Sequence, residues 1–197
     1  MASCLHRFDR MGMGKRAGFE GAEYLIATDG RRERKEMGWV FWAMVGAAVI
    51  HVAEEYIFGW VDSARDFAGR SSRGFAGRFV SGIDLALFAV VNAFFILLCV
   101  VGALVGLENP VFSLSIACLF LFNAAMHLVP LIIVRRYISG AFSAVFLYIP
   151  LAFYAFHVAD QGDKLNLWVA LGAFLLGLLW QAIPLAAVFL RSSRNTG

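Results

Sequence analysis

The chain is expected to be all-α, an integral membrane bundle of about five transmembrane helices, and three observations carry that expectation. Of its 197 residues 60% are hydrophobic and only 16% charged, with a mean hydropathy of +0.72, whereas soluble domains run about 45–50% apolar and about 25% charged. The apolar residues gather in runs long enough to cross ~30 Å of hydrocarbon at ~1.5 Å per residue. Short polar turns, several carrying arginine, separate those runs.

Residues 1–38 form a polar, glycine-rich, basic tail without the apolar core of a secretory signal. Met11 and Met13 are alternative starts. Gly12-Met13-Gly14-Lys15-Arg16-Ala17-Gly18 has the outline of a dinucleotide fingerprint, but no strand precedes it and no βαβ unit follows. The first span is read at about 39–60, bracketed by Trp39 and Trp60 at headgroup level. A polar loop follows, whose Phe67, Phe75 and Phe79 suit the interface. The second span is read at 79–105, before the turn Glu108-Asn109-Pro110; the third at 111–134, stopped by Arg135-Arg136; the fourth at 141–158; and the fifth at 167–190, stopped by Arg191. Residues 191–197 are a short C-terminal tail. Without internal repeats, one bundle domain is the simplest organisation.

The net charge of +3 comes from basic residues in the tail and in the loop holding Arg65, Arg70, Arg73 and Arg78. Such juxtamembrane charge suits anionic lipid headgroups better than nucleic acid, so membrane lipid is the expected partner and protein partners are left open. The arginines beyond the first span favour an outside N-terminus, although the basic tail argues the reverse. A multi-pass place in a bacterial inner membrane is the expected location. Of three cysteines, Cys99 and Cys118 lie in spans without CxxC spacing, so neither a disulfide framework nor a thiolate site is implied.

Ionisable residues inside spans carry the functional reading, because a charge at the bilayer centre costs at least ~2.5–3.5 kcal/mol and needs a partner. Counting depth from the Trp39 face, His51, Glu54 and Glu55 fall ~18–24 Å in, Asn123 and His127 roughly the same, and Asp84 about 22 Å. Glu54 and Glu55 lie at i+3 and i+4 from His51, and His127 at i+4 from Asn123, spacings that stack side chains on one helix face. Asn92 lies nearer the Trp39 face, and His157 and Asp160 read as boundary residues.

Two imidazoles and one or two carboxylates suit zinc or non-haem iron. The expected metal ligands are His51, Glu54, Glu55 and His127, with Glu54 or Glu55 also the catalytic base, and Asp84, Asn92 and Asn123 orienting ligands or substrate. The expected substrate is a lipid or other apolar small molecule entering between helices, in a metal-dependent hydrolysis or oxidation. The competing readings are hydrogen-bonded packing of neutral side chains, a non-enzymatic bundle holding haem, a pigment or a partner subunit, and a proton conduit. Gly102 and Gly106 form a GxxxG match, read as close helix packing. Pro130, Pro150 and Pro184 are expected to kink spans and free carbonyls.

His51-Val52-Ala53-Glu54-Glu55-Tyr56, followed by Gly59-Trp60, resembles the signature of the HXXEE domain family. Asn92, Asn123-Ala124-Ala125-Met126-His127, Arg136-Tyr137 leading to Gly140, and Pro150 are also similar to its pattern, and the likeness covers roughly residues 38–190. Where that family commonly carries Tyr-x-Pro-Gly, this chain has Tyr137-Ile138-Ser139-Gly140, which implies a less rigid turn. The resemblance implies an architecture and a site without implying a reaction.

Overall fold

A computed structural model describes residues 38–63 and 84–194. The expected N-terminal tail, most of the polar loop, residues 79–83 of the expected second span and the last three residues lie outside the described residues. The described chain forms helices without strands. Five are long and apolar enough to cross a membrane: α1 Gly38–Ile57, α2 Leu85–Val105, α3 Pro110–Val134, α4 Ala141–Gln161 and α5 Leu167–Arg194.

Local chemistry sets the ends. Asp84 is extended (φ −127°, ψ 171°) and its carboxylate accepts the Leu87 N–H at 2.8 Å, so α2 starts at Leu85. Asn109 caps α3 through the Phe112 N–H at 3.2 Å, with Pro110 in the first helical position. Asn166 caps α5, accepting the N–H groups of Trp168 and Val169 at 3.0 Å each. α1 stops at Ile57, before Gly59 with φ 66°, and one helical turn over 60–63 carries Trp60 onto Phe88. α4 runs past the expected end at 158 to Gln161.

Pro150 has no N–H to continue the i→i−4 ladder. The helix adapts by a π turn over Ala144–Tyr148, in which the Ile149 N–H reaches back to the Ala144 carbonyl. Pro130 and Pro184, by contrast, sit within continuous helices.

α3 is the central helix, buried on every side from Ser113 to Phe120, and packs against α2, α4 and α5. Gly177 makes the α5 crossing possible, because a Cβ there would lie 2.6 Å from the Cys118 Cβ. Of the GxxxG pair, Gly102 admits Ile116 of α3, whereas Gly106 (φ 55°) ends α2. α4 turns a stripe of small side chains inward at Ala141, Ala144, Ala152, Ala155 and Ala159. Ile57, Leu104, Ile132, Phe146 and Leu175 are among the large apolar side chains left facing outward, as a lipid-facing surface requires.

Candidate metal centre

The site forms where α1 ends and α4 begins, beneath the turn from Arg135 to Gly140. A helix start presents N–H groups without intrahelical partners and a positive dipole end, and α4 begins at Gly140, which has no side chain to cap it. Glu54 supplies the cap from α1. Its Oε1 accepts the N–H groups of Gly140 at 3.1 Å and Phe142 at 3.2 Å, its Oε2 accepts the Ser143 N–H at 2.8 Å, and the Tyr137 hydroxyl also donates to Oε1. Partial burial and then the Glu54 carboxylate hold the Tyr137 phenol above its ordinary pKa, so it remains a donor. The Ser139 hydroxyl donates to the Glu54 and Glu55 carbonyls at 3.2 and 3.3 Å. The turn expected to be looser for want of proline is thus tied to the end of α1 by a hydroxyl that proline lacks.

Glu55 points elsewhere. Its Oε1 lies 3.3 Å from His127 Nε2 and 3.6 Å from His51 Nε2, and all three side chains are almost completely buried. The two imidazoles meet edge to face with centroids 4.8 Å apart. Gly140 lets them do so: a Cβ on it would come within 2.6 Å of His127 Cε1 and 2.8 Å of His51 Cε1, and its φ of 89° already favours glycine. The Tyr148 ring lies against His51 at a centroid distance of 4.4 Å and stacks on Phe120.

Ser143 holds His51 in place: its hydroxyl lies 2.7 Å from His51 Nδ1 and 3.2 Å from the Gly140 carbonyl. The other ring nitrogen, Nε2, is buried without a hydrogen-bond partner and faces the Glu55 oxygen at 3.6 Å. His127 Nδ1 is likewise buried and unpartnered.

The ligand atoms of His51, Glu55 and His127 all lie within 4.8 Å of one another, so this group could hold a metal ion. The 3.3 and 3.6 Å separations are long for charge-assisted hydrogen bonds, which run ~2.7–2.9 Å. They are close to the ~3.3–3.4 Å between neighbouring ligands of a tetrahedral zinc bound at ~2.0–2.1 Å.

A cavity of about 140 Å³ opens beside Glu55 and His127, between α2, α3 and α5. Asn92 and Asn123 line it, as does Gln181, and the Asn123 Oδ1 is buried without a hydrogen-bond partner. Asp84 takes no place in this group. Expected one to two turns deep, it instead caps the start of α2 and pairs with Arg191, both side chains nearly half exposed. Its position directly before an apolar run was the signature of a helix cap. His157 and Asp160 are exposed near the far end of α4. Glu54 is turned from the imidazoles and engaged by four donors, so Glu55 is the carboxylate of the group that could hold a metal ion. Sequence reasoning gave no role to Ser143 or Tyr148. The signal for both was position: they lie one turn apart on the face that Pro150 reshapes.

A family model described as a protein of unknown function with an HXXEE motif matches residues 42–155. Neither the curated proteins nor the solved structures contain a significant match.

Proposed function

Because the chain belongs to the family of proteins of unknown function with an HXXEE motif, we propose a function from its site: a membrane metalloprotein whose His51, Glu55 and His127 hold a divalent zinc or iron ion and which acts on a lipid or other apolar small molecule. The carrying observation is the convergence of the buried His51, Glu55 and His127 ligand atoms within 4.8 Å of one another, with His51 Nε2 unpartnered beside the Glu55 carboxylate. Two histidines and one carboxylate with a position left open are the ligand set of several hydrolytic zinc sites and of non-haem iron oxygenases. A bound ion would supply Lewis acidity and an activated water, or a redox centre.

The chain's own residues divide the remaining work. Ser143 orients His51. Glu54 fixes the start of α4, and with it Gly140 and Ser143, so it acts as a positioning residue and not as the base. Asn92 and Asn123 offer amides to a substrate in the adjacent cavity. Haem fits poorly here, because a porphyrin ligated by both histidines would separate rings that touch edge to face.

Metal analysis of the detergent-purified full chain tests the reading, with His51→Ala and Glu55→Gln alongside. Near-stoichiometric zinc or iron that both variants lose supports it. Metal-free wild type after loading with either ion, or full metal content in both variants, overturns it.

A further inference from the structure

α2 and α5 both pack on α3 but hardly on one another, and the gap between them is the cavity that reaches Glu55 and His127. Its lining brings Glu55, His127 and the amides of Asn92, Asn123 and Gln181 together, with apolar groups on either side along the helices, Leu87 and Val188 toward one end and Leu98 and Leu119 toward the other. One turn beyond the lining residues Leu87 and Val188, the Asp84–Arg191 pair ties the start of α2 to the end of α5.

The volume limits the occupant. A cavity of ~150 Å³ lined by apolar side chains accommodates a group of about benzene size, so about 140 Å³ takes one hydrocarbon chain segment and not two side by side. The amides select further, since the Asn123 Oδ1, buried without a hydrogen-bond partner, would stay unpaired against a pure hydrocarbon, at the cost of an unsatisfied buried group.

We infer that the site takes a single-chain amphiphile, a lipid with one hydrocarbon tail and a neutral hydroxyl or amide group, bound with that polar group level with Asn92, Asn123 and the Glu55–His127 pair and its tail along the apolar lining. This deepens the proposed function by naming its substrate class, and it rests on that reading for the reactive groups beside the cavity.

The test uses the full chain in lipid nanodiscs, a long-chain alcohol carrying a diazirine midway along its tail, and dodecan-1-ol and dodecane as competitors at equal mole fraction in the bilayer. Peptide mass spectrometry locates the label, and metal content is measured on the same samples. The expected result is labelling of cavity residues on α2, α3 and α5 that dodecan-1-ol suppresses about tenfold better than dodecane, the size of one or two lost hydrogen bonds. Asn123→Leu and, independently, Asn92→Leu should shrink that preference while leaving metal content unchanged; whichever variant folds serves. Labelling confined to the outer lipid-facing surface, or equal competition by alkane and alcohol, overturns the inference even if metal is bound. Alcohol-selective labelling of the cavity in a protein that binds no metal upholds the amphiphile site and removes only the metal reading.

Discussion

Glu54 and Glu55 are adjacent, both buried and chemically identical, yet the structure gives them opposite surroundings. Glu54 faces four donors at the start of α4, the environment of a carboxylate whose work is to hold two helices together. Glu55 faces two imidazoles at distances too long for strong hydrogen bonds and borders a cavity. Buried polar groups in native proteins are normally paired, so the first region reads as architecture and the second as a place kept for something else. Among the described residues, the buried side-chain atoms without a hydrogen-bond partner are His51 Nε2, Asn123 Oδ1, His127 Nδ1 and the Tyr148 hydroxyl, and none of them belongs to the Glu54 cap.

The largest expected effect comes from the residue both regions share. Gly140→Ala forces a Cβ into both imidazoles and a non-glycine residue into a left-handed backbone, and should destabilise the protein by about 3 kcal/mol or more, read as a lower unfolding temperature in detergent together with lost metal. Next, Glu54→Gln should cost roughly 2–3 kcal/mol, because an amide accepts on one side only and presents an N–H2 to backbone donors. Its thermal midpoint should fall while the folded fraction still binds metal. Glu55→Gln should do the reverse: no metal, and a midpoint in chelator close to that of wild type, since no helix start depends on its carboxylate. If the two glutamine variants behave alike, the division between the regions is mistaken.

Ser143→Ala sharpens the comparison at smaller scale. It removes the hydroxyl that orients His51 and should weaken metal affinity ~10–100-fold in competitive chelator titrations, the range found for residues that orient metal ligands. The smallest effect belongs to Arg191→Gln. The pair with Asp84 is nearly half exposed and should contribute less than about 1 kcal/mol, so a metal loss in this variant would mean that the α2–α5 gap is coupled to the centre.

Much of this was legible in the sequence because depth and helical spacing are one-dimensional quantities. Apolar run length located the spans, and counting along them placed His51, Glu55 and His127 at one level. What could not be read was azimuth. His51 has Glu54 at i+3 and Glu55 at i+4, and both spacings permit contact; only the arrival of α4 decides which carboxylate meets the imidazole and which meets the helix start. Asp84 was misplaced for another reason: the apolar run was extended back to Phe79, which set a capping residue about one turn too deep. The role of Ser139 was hidden because a hydroxyl donating to carbonyls across 84 and 85 positions of chain leaves no local pattern. Pro150 was expected to free carbonyls, and the π turn over Ala144–Tyr148 is how the helix absorbed that demand, carrying Tyr148 against His51.

X-ray absorption at the metal edge of the loaded protein bears most directly on the central claim, because it sees the ligands themselves. The account predicts two imidazole shells and one carboxylate oxygen at about 2.0–2.2 Å, unchanged in Glu54→Gln and disrupted in Glu55→Gln. A spectrum with sulfur in the coordination shell, with no imidazole scattering, or with the Glu54→Gln protein as altered as the Glu55→Gln protein would contradict it.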